Sequence, residues 1–430
     1  MSELPAGWEL ATVADVAAVQ LGRQRSPQHH TGPNMRPYLR AANITWGGLD
    51  ITDVKEMNFE PQEAAAFALQ EGDILLNEAS GSPNEVGKPA IWRGEIPGCC
   101  FQNTLLRVRS RGPAMQYLYW YFFYSALMGR FGEAGRGVNI RHLGKAGLAG
   151  FPIPVAPLPE QERIVAAIEE HLSHLDAAER QLSNLENKLA FFESTAIASL
   201  FHPDWPRTAL GDVVDRFSDC PHRTPKYSAE GAFPALRPRD VVNGVLDLDD
   251  AARVDANEYA IQTARHAPEP GDIVYSRELS YGWAVVLPKE PRVCLSQGMV
   301  VMRSTKIAPE FLALALNSAR GRRQAAQAAT GSAHPHINIR DIKQYLIPVA
   351  RLDDQIGVIE SAGEIESACA TARAAIASSR RRSAALGRSV LSEAFSGRLV
   401  AQDAQDEPAG LLIQRINSAM AATASRGGAS

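Results

Sequence analysis

Residues 159–201 read PEQERIVAAIEEHLSHLDAAERQLSNLENKLAFFESTAIASLF. The stretch has no glycine, and its one proline stands first, where a fixed φ and a missing N–H suit the opening turn of a helix. Ile164, Ile168, Leu175, Ala178, Leu182, Leu185, Leu189, Phe192 and Ala196 recur at heptad spacing, with His171 and Ser199 as interruptions. That seam predicts one long helix packed against another. About 40 residues of helix rise roughly 60 Å, more than the width of a 150-residue domain, on the order of 40 Å.

A second stretch, 352–395, keeps the register with smaller residues: Val358, Ala362, Ile365, Cys369, Ala372, Ile376, Leu386 and Val390, weakened by Ser379, Ser383 and Glu393. It starts where the intervening segment stops, so antiparallel pairing is the simplest topology. The expectation is a rod with a globular domain at each end and a pseudo-twofold axis within one chain.

Working outward, the chain repeats itself. Glu71-Gly-Asp-Ile-Leu-Leu answers Pro270-Gly-Asp-Ile-Val-Tyr at an offset of 199 residues. Leu39-Arg40 answers Leu236-Arg237 and Trp8 answers Trp205 at 197, whereas Ile153-Pro-Val-Ala answers Ile347-Pro-Val-Ala, and Phe201 answers Phe395, at 194. Asn-Ile-Arg also occurs twice, at 139–141 and 338–340. Collinear matches with little drift indicate two head-to-tail copies of one unit of roughly 200 residues, far longer than a solenoid repeat. Each copy opens with short apolar runs broken by Gly, Pro and Asn, such as Asp73–Leu76 and Thr104–Val108, or Asp272–Tyr275 and Met299–Met302. These read as strands joined by turns. A helical stretch follows, 114–131 and 309–329. The predicted architecture is a mixed α/β (α+β) domain at 1–158, a long helix at 159–201, a second such domain at 202–351, a second long helix at 352–400 and a tail at 401–430.

Composition sets further bounds. The chain has 430 residues, 45% hydrophobic and 21% charged, as in globular proteins of two or three domains. The first residues lack the basic start and apolar run of a secretory signal, and no apolar stretch is long enough to span a membrane. Five cysteines without a C-x-x-C pair suit reduced thiols in a cytosol. Catalytic signatures are missing: the sequence has no phosphate loop, no G-x-G-x-x-G and no Asn/Asp-Pro-Pro-Tyr motif. Glu85 and Lys88 lack the acidic companions of a nuclease site, and His171 and His174 lack further metal ligands.

Pro154-V-A-P-L-P-E-Gln161-E-R-I-V-A-A-I, its counterpart Pro348-V-A-R-L-D-D-Gln355-I-G-V-I, and Leu391-S-E-A-F-S-G-R-Leu399-V close the argument. This pattern resembles the specificity subunits of type I restriction–modification systems, over nearly the whole chain. Copy one departs from the pattern in ending S-L-F-H-P-D-W, and copy two carries Asp354 where copy one has Glu160. The resemblance implies two target-recognition domains, each reading half of a bipartite asymmetric site in double-stranded DNA. It implies that the helices set the spacer and carry two methyltransferase subunits and the restriction/translocase subunits. It further implies that this chain performs no chemistry and binds no cofactor, S-adenosylmethionine, ATP and Mg belonging to the partners, and that it works in a bacterial or archaeal cytoplasm. Pro159, Gln161, Ile164, Gln355 and Phe395 are the expected docking residues. The tail segment beginning at Glu407 is expected to be a partner-docking helix followed by disorder.

Charge is compatible with that reading. Lys+Arg against Asp+Glu is 14 to 14 in 1–158, 19 to 17 in 202–351 and 3 to 8 in 159–201, so the acidic excess sits in the first helix. Phosphate binding needs a local basic face, not a basic total. Base readers should lie where the copies differ. In copy one the candidates are Arg23, Arg25, Arg36, Asn77, Ser80, Asn84, Lys88 and Arg136. In copy two they are His222, Arg223, Lys226, Tyr227, Arg237, Arg239, Arg277, Tyr281, Arg322, Arg323 and His336. Residues kept in both copies, Arg40 with Arg237 and Asn139 and Arg141 with Asn338 and Arg340, are expected at phosphates or in the scaffold. Two other classes stay open here: an adaptor with two protein-binding domains, separated by salt-sensitive binding of duplex DNA, and a nuclease with an unfamiliar site, separated by metal-dependent cleavage.

Overall fold

The computed structural model describes residues 4–80, 85–134, 141–221 and 223–427, with Glu133, Ala134, Arg141 and residues 423–427 described by backbone alone. The chain divides into two compact units. Unit one comprises 1–180 and 379–430, and unit two comprises 181–378. Each therefore contains one globular domain and a portion of both long helices.

In unit one the strands are β1 (Glu9–Thr12), β2 (Ala17–Leu21), β3 (Met35–Leu39), β4 (Lys55–Asn58), β5 (Ile74–Asn77), β6 (Pro89–Ile91), β7 (Cys100–Phe101), β8 (Leu105–Ser110) and β9 (Pro152–Val155). They form a four-stranded antiparallel sheet in the order β2-β8-β5-β6, a three-stranded sheet β7-β3-β4, and an antiparallel pair β1-β9. In β5, Ile74 and Leu76 point into a core with helix α1 (Met115–Leu127), whereas Leu75 points into a second core with Leu39 and Phe101. Side chains alternate along a strand, so a strand covered on both faces is apolar throughout.

Unit two repeats this plan. Its strands are β10 (Arg207–Ala209), β11 (Arg216–Asp219), β12 (Phe233–Leu236), β13 (Arg253–Val254), β14 (Ile273–Ser276), β15 (Ala284–Val286), β16 (Cys294–Leu295), β17 (Met299–Arg303) and β18 (Leu346–Pro348). The sheets are β11-β17-β14-β15, β13-β12-β16 and β10-β18. Topology thus confirms the duplication, down to the parallel pairs β3-β7 and β12-β16. The helical stretch at 309–329 is two helices, Pro309–Asn317 and Ala319–Ala328, broken at Ser318.

The long helices span Leu158–Ser199 (42 residues) and Leu352–Phe395 (44 residues). Within unit one they run antiparallel: Arg380 Nε donates to Glu179 Oε1 at 2.8 Å, and a Cβ at Gly387 would lie 3.4 Å from Leu175 Cδ1 and 3.7 Å from Leu172 Cδ2. Within unit two, Arg373 pairs with Glu193. The contact line differs from the predicted one. Leu185, Phe192 and Leu386 are exposed, while Leu172, Glu193 and Gly387 lie on the contact face. A strict seven-residue repeat drifts about 20° per heptad around a straight helix, so a line drawn every 3.5 residues leaves the true face after a few turns.

Candidate nucleic-acid interface

Two buried aspartates at equivalent positions hold the sheets. Asp73 accepts both Nε and Nη2 of Arg109, at 2.6 and 2.7 Å, and Asp272 does the same for Arg303, at 2.6 and 2.9 Å. The bond to Asp272 holds the Arg303 guanidinium well above its usual pKa. The twice-occurring Gly-Asp is the sequence sign of these clamps.

A second repeated device anchors each domain to its helix. Gln161 is fully buried; its Oε1 accepts the Ala114 N–H at 2.9 Å and its Nε2 donates to the Ala156 carbonyl at 2.8 Å. Gln355 does the same with Ala308 and Ala350, at 2.8 and 2.9 Å. Ile164 and Phe395 lie in the core of unit one, where Phe395 meets Tyr117, Tyr121 and Tyr124. These four residues, expected to face a partner, face inward in this chain, while Pro159 is exposed at the helix start. Trp8 donates to the buried Glu160 at 3.0 Å, whereas Asp354 is exposed and Trp205 packs on Phe311 instead. The tail also turns inward: Ala409–Gly427 is a helix whose Ala409 and Ile416 join the core of unit one, and Asp406 pairs with Arg163 at 2.7 Å.

Arg141 and Arg340 are not structural equivalents. Leu143 N–H donates to Glu78 O, and Ile337 N–H donates to Arg277 O, both at 2.8 Å. Leu143 therefore corresponds to Ile337, at the later offset of 194, which places Asn338-Ile-Arg opposite 144–146. Asn338 stands at the N-cap position of the short helix Ile339–Ile342 without a side-chain capping bond, and Arg340 is exposed. Asn139 lies outside the described residues, as do Asn84, Arg136 and His222; of Arg141 only the backbone, paired with Ser80, is described. The true counterparts are His142 and His336, each bridging to the loop after the central strand, at Ala79 and Glu278.

Several candidates serve the scaffold. Arg23 is buried, paired with Glu63 at 2.8 Å and bonded to Asn58 O at 3.0 Å. Lys88 is buried against Glu85, and Asn77 is buried at the end of β5. Arg40 reaches Asp53 at 2.6 Å. Arg237 grips Asp240 through two bonds of 3.0 and 2.9 Å, which raises its pKa. Arg223 pairs with Glu258 at 2.9 Å. Arg277 is buried, 3.5 Å from both Asp219 and Glu278. Arg322 lies over the Trp283 ring at 3.9 Å and donates to Tyr281 O at 2.5 Å, and burial lowers its pKa.

Others remain at the surface: Arg25, Arg36, Lys226, Tyr227, Arg239, Arg323, His336 and Arg340 are exposed. Tyr227 lies 3.4 Å from Ser296 Oγ, and Arg239 is 3.7 Å from Asp240. In unit two the turn bearing Arg239 and the loop bearing Glu278, which bridges to His336, meet over Gly298. A Cβ there would sit 2.9 Å from Pro238 Cγ and 3.0 Å from Glu278 Cβ. Gly298 has φ +86°, so a side chain there is excluded on both counts. Arg237 and Arg277 at these loops are paired with acids, whereas Arg239 and His336 are exposed.

The two domains thus share their scaffold and differ in their exposed residues. Residues 5–187 match the family model of the type I restriction modification DNA specificity domain. The matched residues take in the first globular domain and much of the first long helix, and the chain is similar to type I restriction–modification specificity subunits. It is 21% identical to the type I restriction enzyme EcoBI specificity subunit of Escherichia coli over 332 residues, 70% of this chain and 69% of the relative. It is 22% identical to the MjaVIII specificity subunit of Methanocaldococcus jannaschii over 391 residues, 85% and 87% of the two chains. The fold is shared with the HsdS subunit from Thermoanaerobacter tengcongensis, TM-score 0.53 at 21% identity, covering 92% and 98%. It is shared more closely with a chain from a structure of type I restriction–modification complex assembly, TM-score 0.68 at 18% identity, covering 93% and 100%.

Proposed function

We infer that the chain is the non-catalytic DNA-reading subunit of a type I restriction–modification complex. Each globular domain reads one half of a bipartite, asymmetric duplex site, and the paired helices set the unread spacer. The observation that carries this is the duplication itself: one topology and one set of Asp–Arg and Gln anchors twice over, bearing different exposed polar residues. A scaffold repeated with changed surface chemistry suits two different half-sites. The methyltransferase subunits bring S-adenosylmethionine and the flipped adenine's chemistry, and the restriction subunits use ATP and Mg. The complex acts in the cytoplasm of a bacterium or archaeon. Exposed faces of the long helices, Pro159 included, are the docking surface for partners.

Methylation mapping in cells carrying the complex tests the reading. Replacing residues 1–150 with those of another member changes one half-site and leaves the other intact. A change in both halves, or in neither, overturns it.

A further inference from the structure

Within unit two, the end of the first long helix, strand β10, strand β18 and the start of the helix Ala319–Ala328 enclose a cleft of about 210 Å³. A water molecule's share of liquid volume is about 30 Å³, so the cleft holds a tetrahedral oxyanion with several waters. Its walls are Ala198, Phe201, Pro203, Ala315, Leu346 and Pro348, and its polar groups are Arg207, Ser318, Arg320, Gly321 and Gln324. No carboxylate lines it.

Arg223, Arg237, Arg277 and Arg303 of this domain pair with acids, and Arg322 has a carbonyl and an indole face. Arg207 and Arg320 have no such partner; among the described residues neither side chain makes an ion pair or a hydrogen bond. Arg207 is half-buried, and its pKa is lowered first by burial and then by the charge of Arg320. Two like charges converging on a cleft without a counter-charge are an unfavourable arrangement in the empty chain, and an anion relieves it. The helix beginning at Ala319 adds the positive end of its dipole. Ser318 Oγ accepts the Gly321 N–H at 3.2 Å and donates to Ala315 O at 2.7 Å, so the hydroxyl caps the helix and the two guanidinium forks are left for the ligand. A planar fork matches phosphate oxygens two at a time.

We propose that Arg207 and Arg320 form a phosphate-binding site in the second unit. Nothing equivalent is encoded in the first copy: the position matching Arg207 at the offset of 197 is Leu10. The site is therefore a property of one half of the duplicated chain, and it stands apart from the half-site assignment above.

The test uses the full chain. Inorganic phosphate is titrated against chloride of equal ionic strength while the melting temperature is followed. Wild type shows a phosphate-specific rise. Arg207→Gln and Arg320→Gln each weaken phosphate binding by about ten- to a hundredfold, as expected for a charge-assisted bond, and lose the rise. Lys343→Gln, outside the cleft, retains it. Arg320 is exposed on its helix, so Arg320→Gln carries the test if Arg207→Gln folds poorly. A second arm measures duplex DNA binding by the assembled complex as salt is varied. If the DNA backbone supplies the phosphate, the double variant's slope of log K against log salt is shallower by about two. An unchanged slope with the phosphate response intact assigns the site to a free phosphate-bearing ligand. No rise beyond chloride in wild type, or an equal rise in both variants, overturns the proposal.

Discussion

Single residues divide into those that hold the domains and those left to meet DNA, and the division is measurable. Gln161→Ala strands a buried N–H and a buried carbonyl, each costing about 1–3 kcal/mol. It should lower stability by about 2–4 kcal/mol in chemical denaturation, with Gln355→Ala close to it. Arg239→Gln should leave stability unchanged and make the salt dependence of DNA binding shallower by about one, whereas Arg277→Gln, at a buried position, should lower the melting temperature. Glu160 offers a sign test. Burial raises its carboxyl pKa, partly offset by the Trp8 N–H. A carboxyl whose folded pKa is raised favours the folded state when protonated, and that contribution is lost as pH rises through the carboxylate range. Glu160→Gln keeps an acceptor for Trp8 without the charge. It should melt higher than wild type at neutral pH, with the gap closing as pH falls below the ordinary glutamate range.

Elements show where pattern reading succeeds and where it drifts. The first long helix was legible because 43 residues free of glycine, with apolar spacing and a leading proline, admit little else, and the second followed from the register it shares with the first. Their contact line was legible near the start, at Ile164 and Ile168, and lost further on: Leu185, Phe192 and Leu386 are exposed, and Glu193 meets Arg373 on the face assigned to leucines. The strands were legible from short apolar runs; their two-sided burial was not, because one sequence position does not say which sheet covers it. A matched seven-residue insertion in Gln181–Lys188 and in the facing stretch 373–380 preserves the phase of both helices. It should change the spacer between methylated half-sites and leave both half-sites as they were; an unchanged spacer in methylation maps counts against the helices as its ruler.

At the scale of the molecule, the duplication and the family resemblance were legible in the chain alone. Collinear matches at drifting offsets persist because both copies solve the same folding problem, with a Gly-Asp before the central strand, an Arg to bind it and a Gln to tie helix to domain. Which polar side chains stay exposed was not decided that way. Arg23, Arg277 and Arg239 look alike in one dimension, and only the tertiary structure shows the first two buried beside carboxylates and the third in water. It also shows Leu143 equivalent to Ile337, so that Arg340 does not answer Arg141, because backbone hydrogen bonds, not letters, define equivalence. Periodicity and repetition are local or self-referential and survive in the sequence. Which cation finds a counter-charge depends on residues tens of positions away, and that is settled only when the chain folds.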